Sequence, residues 1–337
     1  MNYNFKLSHM KIFLEIVIFT CKISILTFSL KANSQWIQHS FDVMGTRSNV
    51  EFEISKNQDG EQILKKIVSE MHRIDALMSP YKANSELSKI NTTASIQPVK
   101  ISQELFDLLV KSNEFSVLTY GAFDISFSSL GYLYDYRNSV KPTKDQIANL
   151  KNIINYQSIK LNKKTLSVKY TKAKVKIDLG GIAKGHAVDQ CIQILKNNGI
   201  VNAYVSAGGD TRIIGKKDDR LWYIGIKHPR NENKLLVNLP LEEVSISTSG
   251  DYERFFIKNG VRYHHIIDPK TGESASELQS VTILAPNSTM ADALSTSVFV
   301  LGSKKGLKLI NNLPDISAIL VDSQGLLYFS NDLEKLD

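Results

Sequence analysis

Strand-like alternation of apolar and polar residues is the feature that most limits the fold of this chain. The alternation fills most of the sequence, from a turn at Met44-Gly45-Thr46 to a hairpin pattern at residues 315–330. Helical spacing interrupts it irregularly, in four long segments at residues 59–79, 102–121, 181–199 and 289–302. Because strands outnumber helices and do not alternate with them, the sequence predicts an α+β fold with mixed or antiparallel sheets and flanking helices. No internal repeat or long linker divides the chain, so we expect a single intertwined domain.

The first 34 residues differ from the rest and have the pattern of a secretory signal. The segment is rich in Ile, Leu and Phe, but Glu15 and Lys22 interrupt it, which makes it a poor transmembrane span. Ala32-Asn33-Ser34 places small residues where a signal peptidase cuts. We therefore expect cleavage before Gln35, export of the protein, and a mature domain that covers residues 35–337.

Two alternatives for this segment stay open. It can remain as an anchor helix, or Cys21 can carry a lipid, although the bulky Phe19 and Thr20 before it make a weak lipoprotein signal.

Without the segment, Cys191 is the only cysteine left, so no intramolecular disulfide can form and the protein depends on its core for stability. Cys191 lies at helical spacing with apolar residues, which predicts a buried position.

The formal net charge of +7 does not by itself indicate a nucleic-acid partner. No cluster of Lys and Arg stands beside an aromatic platform of the kind that binds nucleic acids. Four lysines and one glutamate lie in the first 34 residues, so part of the basic excess belongs to the targeting signal. The sequence predicts no nucleic-acid partner.

Three oxygen-bearing side chains share one face of the predicted helix at residues 289–302. Asp292, Ser295 and Thr296 stand at positions i, i+3 and i+4, which bring side chains together on a helix. Carboxylate and hydroxyl oxygens are hard donors that suit Mg²⁺. The spacing therefore indicates a candidate metal site, and a plain polar stripe on the helix is the alternative.

A second candidate lies in the stretch KIDLGGIAKGHAVDQ, which begins at Lys176. We expect a strand that delivers Asp178, a Gly180-Gly181 turn with exposed backbone, and a helix from about Ile182. Free N–H groups at such a helix start can hold phosphate, and the exposed carbonyls of the turn can complete a Mg²⁺ shell. The spacing is neither that of a P-loop nor that of a dinucleotide-binding fingerprint.

Further turns end in an acidic residue, at residues 121–124, 207–210 and 248–251, and each is also compatible with a plain tight turn. The stretch HHIIDPKTG contains two adjacent histidines, His264 and His265. Side chains of successive strand residues point to opposite faces, so only one of the two rings can reach a site.

Eight motifs, taken in their order along the chain, resemble those of the ApbE family of FAD:protein FMN transferases. The resemblance covers about residues 36–330. The motifs are MGT (44–46), MSPYKANSELSKIN (78–91), GAFDIS (121–126), DLGGIAKGHAVD (178–189), NAYVSAGGD (202–210), STSGDYERFF (247–256), HHIIDPKTG (264–272) and ADALSTSVFVLG (291–302). The resemblance implies an ApbE-like α+β fold that binds FAD and Mg²⁺. It also implies transfer of FMN from FAD to a Thr or Ser hydroxyl of a target protein, with release of AMP.

The resemblance also assigns roles to residues. By motif, Asp292, Thr296 and the main-chain oxygen of Gly181 match metal ligands, with Ser295 nearby. The positions that match the lining of the FAD site are Met44, Tyr81, Ala122, Phe123, Asp124, Asp178, Lys184 and Ile267. His265 matches the general base, with an ordinary imidazole pKa near ~6.5. A carboxylate such as Asp251, or water, is the alternative proton acceptor. The family often has Ala where Gly181 stands, a change that a backbone ligand tolerates.

The implied partner is a flavin-carrying subunit of a membrane redox complex, and the implied location is the periplasm, with attachment to the inner membrane if the chain is acylated. Two other functions stay open. The same site can hydrolyse FAD to FMN and AMP with water as the acceptor, or the protein can bind flavin without turnover. Release of AMP with and without a target protein distinguishes the three.

Overall fold

The computed structural model describes residues 35–334. Its strands are β1 (Gln35–Val43), β2 (Thr46–Ile54), β3 (Val99–Lys100), β4 (Ile159–Asn162), β5 (Ser167–Tyr170), β6 (Ala203–Ala207), β7 (Asp210–Ile214), β8 (Trp222–His228), β9 (Asn231–Leu241), β10 (Ser245–Gly250), β11 (Phe255–Lys258), β12 (Val261–His264), β13 (Leu278–Ala285), β14 (Ser317–Asp322) and β15 (Leu327–Phe329). Its α-helices are α1 (Gly60–Met78), α2 (Glu86–Thr93), α3 (Gln103–Leu118), α4 (Ser128–Gly131), α5 (Lys144–Leu150), α6 (Ala183–Asn197) and α7 (Ser288–Ile310).

An eight-stranded sheet with the order β1-β2-β6-β7-β10-β13-β14-β15 forms the centre of the fold. Every neighbouring pair in it is antiparallel. Three smaller sheets, β3-β5-β4, β8-β9 and β11-β12, complete the strand inventory of the described residues. The predicted α+β class is therefore confirmed, and its sheets are antiparallel rather than mixed.

The helices α1, α6 and α7 lie side by side and pack on the large sheet. The apolar spacing of α1 buries Ile63, Ile67, Met71, Ile74 and Met78, as the sequence predicts. Burial of one such side chain stabilises the fold by about 1.5–3 kcal/mol. Packing of these helices on the sheet therefore sets the positions of the first turns of α6 and α7.

Cys191 lies inside this layer, as predicted. It belongs to the core between α1, α6 and the first strands, and its Sγ lies 3.8 Å from the backbone oxygen of Ile67. Burial raises the pKa of the Cys191 thiol. A buried thiol with a raised pKa is a poor nucleophile, so Cys191 has a packing role.

The extended segment at residues 175–179 differs from the expectation that a strand delivers Asp178. No strand lies beside it among the described residues; instead, the side-chain amide of Asn91 supplies both hydrogen bonds of Ile177. The Ile177 N–H donates to Asn91 Oδ1 (2.8 Å), and Asn91 Nδ2 donates to the Ile177 carbonyl (2.8 Å). The predicted strand before Asp178 is therefore wrong, because a side chain takes the place of the neighbouring strand that the extended segment would need.

Helix α7 continues beyond the predicted limit at Gly302. Gly302 has a φ of 78°, in the left-handed region that favours glycine, and the helix kinks there before it runs on to Ile310. The carboxylate of Glu277 accepts hydrogen bonds from the N–H (2.7 Å) and the hydroxyl (2.6 Å) of Ser303. Glu277 thus caps the second part of the helix, and the apolar pattern alone did not reveal this restart.

Among residues 35–334, no helix has both the length and the apolar composition that a membrane span needs. The predicted signal segment at residues 1–34 and the acylation alternative at Cys21 lie outside the described residues. The division of the chain into a signal and one mature domain stays a prediction.

Candidate functional site

The first turns of α6 and α7 meet in very close contact. Asp292 Oδ2 accepts a hydrogen bond from the backbone N–H of Gly185 at 3.0 Å. A β-carbon on Gly185 would lie 2.2 Å from the backbone oxygen of Ser288, a distance that no real side chain tolerates. Only glycine at position 185 allows this approach, and the approach sets the Asp292 carboxylate beside the glycine turn that precedes α6.

The residues proposed from sequence as metal ligands lie together. A β-carbon on Gly181 would stand 3.1 Å from Thr296 Oγ1 and 3.3 Å from Phe123 Cε2. Thr296 follows Asp292 by one helical turn, so both side chains occupy the same face of α7. The structure thus brings Gly181, Asp292 and Thr296 to one place, with Phe123 against them.

The donors present fit Mg²⁺. Asp292 Oδ1 has no hydrogen-bond partner among residues 35–334, and Thr296 Oγ1 has one long contact there, to Ser249 at 3.4 Å. In the same part of the chain, no three His, Cys, Asp or Glu side chains group as a metal site. One carboxylate with neutral oxygens suits Mg²⁺, which keeps several waters and binds substrate phosphates, and does not suit a metal that needs nitrogen or sulfur ligands.

Ser295 is more heavily engaged than Thr296. Its hydroxyl donates to the backbone oxygen of Asp292 (2.9 Å) and lies 3.1 Å from Ser247 Oγ and 2.8 Å from Ser249 Oγ. The side chain is completely buried and ties α7 to β10. This arrangement favours Thr296 over Ser295 as the hydroxyl ligand.

Lys184 lies between two buried carboxylates. Its Nζ pairs closely with Asp210 and lies 3.6 Å from Asp292 Oδ2. Burial lowers the pKa of Lys184, but the two carboxylates outweigh burial and the net shift is upward, so the group is an ammonium. Burial, reinforced by the negative charge of Asp210, raises the pKa of Asp292.

Sequence reasoning missed Asp210. The residue follows Gly208 and Gly209 in the turn between β6 and β7, and this is the tight turn that the sequence allows there, with a φ of 63° at Gly208. The Asp210 side chain is 1% exposed and accepts a hydrogen bond from Ser247 Oγ at 2.5 Å. An acidic residue that turns inward after two glycines is the sequence signal that was available.

The two histidines occupy different environments, although only His264 lies in a strand, at the end of β12, and His265 follows it. His264 is buried against Phe299, its Nε2 donates to the backbone oxygen of Ala275 (2.6 Å), and its Nδ1 accepts from the N–H of Ile266 (3.3 Å). Both nitrogens are therefore engaged. His265 is half-buried, and its Nδ1 is buried without a hydrogen-bond partner. Its Nε2 has none among residues 35–334, so His265 is the histidine with nitrogens free for chemistry.

The expectation of an ordinary pKa for His265 is wrong. Burial lowers the pKa of this imidazole to about 3, and the neighbouring charges of His264, Arg254 and Lys184 act in the same direction. Burial and the approach of two cations from other elements are tertiary effects that the local sequence does not show. His265 is consequently neutral, and so in its basic form, at physiological pH.

Arg254 is a second residue that sequence reasoning passed over. A β-carbon on Gly45 would lie 3.3 Å from an Arg254 guanidinium nitrogen, and the Arg254 backbone oxygen accepts the N–H of His265 (3.1 Å). Its charge also opposes the rise that burial causes in the pKa of Asp178. The exposed Arg254 therefore connects the Met44-Gly45 turn with Asp178 and His265.

Asp178 precedes the glycine turn, where burial raises its pKa and the charges of Arg254 and Lys184 both oppose that rise. Its Oδ1 accepts the N–H of Gly180 at 2.6 Å, and its own N–H donates to the backbone oxygen of Ile125 at 2.9 Å. The first bond shapes the glycine turn, and the second anchors the segment on the loop that follows Phe123. Asp178 is thus a half-buried acid whose second oxygen has no partner among residues 35–334.

The other residues matched to FAD fall into exposed and buried groups. Tyr81 is 84% exposed, and Met44 occupies a hairpin turn with a φ of 54°, a rare conformation for a residue other than glycine. Ala122, Phe123 and Ile267 are buried.

An open cavity of about 560 Å³ lies beside Met44 and does not reach Asp292 or His265. Its lining residues are Asp42, Val43, Met44, Gly45, Thr46, Arg47, His72, Asp75 and Lys82.

Two acidic residues are committed to structural contacts. Asp124 accepts hydrogen bonds from the N–H (2.8 Å) and hydroxyl (2.6 Å) of Ser126 and from the N–H of Tyr156 (2.8 Å), so its carboxylate holds the loop together. Asp251, the alternative base, accepts two 2.6 Å hydrogen bonds from Arg230. Both oxygens of the Asp251 carboxylate are thus held by one guanidinium.

Comparisons with known proteins identify the family. The model of the ApbE family matches residues 44–320. A protein of Haemophilus influenzae named FAD:protein FMN transferase is 32% identical over 315 residues, which cover 89% of this chain and 91% of that protein. One of the same name from Treponema pallidum is 31% identical over 77% of this chain and 76% of its own length.

Solved structures give the same result. The crystal structure of an ApbE protein from Thermotoga maritima superposes with a TM-score of 0.81 at 35% identity, and covers 89% of this chain and 98% of its own. The flavin transferase ApbE from Vibrio cholerae superposes with a TM-score of 0.80 at 27% identity, over 89% of this chain and 99% of its own.

Proposed function

This chain belongs to the ApbE family, and we propose that it is an FAD:protein FMN transferase. In the proposed reaction, a Thr or Ser hydroxyl of a target flavoprotein attacks the phosphorus of the FMN half of FAD. The bond to the AMP half breaks, AMP leaves, and the hydroxyl proton passes to the enzyme. The observation that carries the proposal is the meeting of α6 and α7, which sets Asp292, Thr296 and Gly181 beside Lys184.

Asp292, Thr296 and the backbone oxygen of Gly181 would hold a Mg²⁺ ion. A bound Mg²⁺ supplies positive charge that polarises the pyrophosphate and stabilises the AMP leaving group. The open Oδ1 of Asp292 and the weakly engaged hydroxyl of Thr296 support this assignment.

Lys184 and Arg254 would bind and orient the substrate. The Lys184 side chain is 28% exposed at the start of α6, and the Arg254 guanidinium reaches the Met44-Gly45 turn. Fixed cations of this kind neutralise pyrophosphate oxygens and hold the reacting phosphorus in place. Asp178, whose second oxygen has no partner among residues 35–334, would offer an acceptor for the N–H and O–H donors of the flavin and ribityl groups.

His265 would act as the general base. Its imidazole is neutral because burial and nearby cations lower its pKa. With Nδ1 enclosed, Nε2 is the nitrogen available to take the proton of the acceptor hydroxyl. His264 would only hold the strand end, since its two nitrogens already have partners.

We further propose that the protein is exported to the periplasm after cleavage before Gln35 and acts there on a flavoprotein subunit of a membrane redox complex. Support for export comes from the composition of residues 1–34. Sequencing of the mature N-terminus tests it, because a diacylated peptide that starts at Cys21 would replace the proposed cleavage with lipidation.

The enzymatic proposal is tested by incubation with FAD and Mg²⁺, with and without a candidate acceptor domain, followed by quantification of AMP. Release of AMP only in the presence of the acceptor supports transfer. Release without an acceptor would indicate an FAD pyrophosphatase, and bound FAD without any AMP would indicate a flavin-binding protein.

A further inference from the structure

Three charged side chains form a compact group that includes the proposed Mg²⁺ ligand Asp292. Asp210 and Asp292 are buried carboxylates, and the ammonium of Lys184 lies between them, in close contact with Asp210 and 3.6 Å from Asp292 Oδ2. Within residues 35–334, these are the two carboxylates at ion-pair distance from Lys184. The ammonium is therefore shared unequally, and Asp210 holds it more closely.

Asp210 is fixed in place by the large sheet. It opens β7, pairs with Ala207 across the β6–β7 turn and with Ser247 across β10, and accepts the Ser247 hydroxyl at 2.5 Å. A β-carbon on the preceding Gly209 would lie 2.7 Å from the backbone oxygen of Thr248, so the turn is tightly packed. Lys184, by contrast, has a flexible side chain that is 28% exposed, so the fixed carboxylate decides where the ammonium stands.

We propose that Asp210 is a positioning residue that holds the ammonium of Lys184 and prevents it from closing an ion pair on Asp292, so that Asp292 keeps an open oxygen for a divalent cation. The inference rests on the proposed function, because it takes Asp292 as a Mg²⁺ ligand. It also gives Asp210, the acidic residue of the turn at residues 207–210, a role in metal binding.

The charges predict how substitutions change Mg²⁺ binding. Asp210→Asn leaves Lys184 with Asp292 as its remaining carboxylate, so the ammonium competes with the metal and Mg²⁺ should bind roughly tenfold more weakly or worse. Lys184→Gln leaves two carboxylates without an ammonium, and Mg²⁺ should bind more tightly. The double variant has one carboxylate and no ammonium, which restores the formal charge of the group, so its Mg²⁺ affinity should return close to that of the unsubstituted protein.

The test is a titration with MgCl₂ in which the thermal unfolding midpoint is recorded, with and without FAD and in the absence of an acceptor. Asp322→Asn is the matched control, because Asp322 is a buried carboxylate that accepts backbone N–H groups of its own turn and lies within ion-pair distance of no Lys or Arg of residues 35–334. This control should lose stability and keep the Mg²⁺ affinity.

The inference predicts weaker Mg²⁺ binding in Asp210→Asn and its reversal in the double variant, which a purely structural role of Asp210 would not produce. Unchanged affinity in Asp210→Asn, or no reversal, would overturn it while the proposed function stands. No Mg²⁺ response in the unsubstituted protein would instead remove the proposed metal site and this inference with it. If Asp210→Asn does not fold, Lys184→Gln decides in the titration without FAD, since equal or weaker Mg²⁺ binding there contradicts the inference.

Discussion

The carboxylate of Asp292 accepts a hydrogen bond from the backbone N–H of Gly185, a residue 107 positions away in the sequence. This bond joins the first turns of α6 and α7 at the point where the proposed Mg²⁺ ligands meet. It depends on glycine, because a β-carbon at position 185 would collide with the backbone of Ser288. The site is thus built by a backbone contact that leaves no room for a side chain.

We expect Gly185→Ala to destabilise the protein by about 1–3 kcal/mol or more, because the added methyl group forces the two helices apart. It should also weaken the response to Mg²⁺, which depends on the position of Asp292. Chemical denaturation and Mg²⁺ titration measure the two effects. Gly306→Ala is the control, since its β-carbon would meet a Val298 side chain in the second part of α7 and should affect stability alone.

Asp292→Asn should abolish flavin transfer without loss of the fold. Because burial raises the pKa of Asp292 in the folded protein, the ionised carboxylate opposes folding at neutral pH when no metal is bound. The neutral amide removes that cost, so the metal-free variant should be at least as stable as the unsubstituted protein. Thermal unfolding and single-turnover transfer, each with EDTA and with Mg²⁺, check this; full activity of the variant in EDTA would refute the role of Asp292.

His265→Ala should slow flavin transfer by about 10²–10⁴-fold, the usual contribution of a general base, with little change in FAD affinity. His264→Ala should affect stability more than rate, since it removes two hydrogen bonds and the packing on Phe299. Single-turnover rates at saturating FAD and Mg²⁺ compare the two variants. Small, equal rate losses would show that neither histidine is the base.

The local patterns of this chain predicted its regular elements well, because those elements follow from short-range spacing. The buried stripe of α1 and the hairpin at Met44-Gly45 are as expected. What failed depends on distant residues: the extended segment before Asp178 is held by the Asn91 side chain, and the second part of α7 is capped by Glu277.

The same reasoning explains which parts of the candidate site were visible. Asp292 and Thr296 share a helix, so their spacing reveals them. Asp210 and Arg254 act through contacts with other elements, and the pKa of His265 depends on burial that the sequence does not display. Local spacing therefore identifies ligands that share one helix. The residues that position those ligands from other elements are identified only from the folded structure.

Stability should fall as the pH falls from about 6.5 towards 3, in part because of His265. The unfolded imidazole has a pKa near ~6.5, whereas the folded one has a pKa of about 3. Between these values the unfolded state binds more protons, so acid favours unfolding. His265→Gln should show a shallower loss of stability over this window in denaturant titrations at several pH values. An unchanged slope would mean that the His265 imidazole is solvated in the folded protein and has an ordinary pKa.

The neutral state of His265 also sets the pH dependence of the reaction. Because its pKa lies far below 6.5, the transfer rate at saturating FAD and Mg²⁺ should not fall between pH 7.5 and 5.5 through protonation of this ring. A midpoint near 6.5 that disappears in His265→Ala would contradict the enclosed environment.

The most direct test of the account is the stoichiometry of one reaction with FAD, Mg²⁺ and a target flavoprotein domain. Intact mass measures FMN attached to the acceptor, and chromatography measures AMP. The account predicts one AMP released for each FMN attached, and neither product with Asp292→Asn. AMP formed in large excess over attached FMN, or an acceptor whose mass does not change while AMP accumulates, would contradict transfer as the function of this protein.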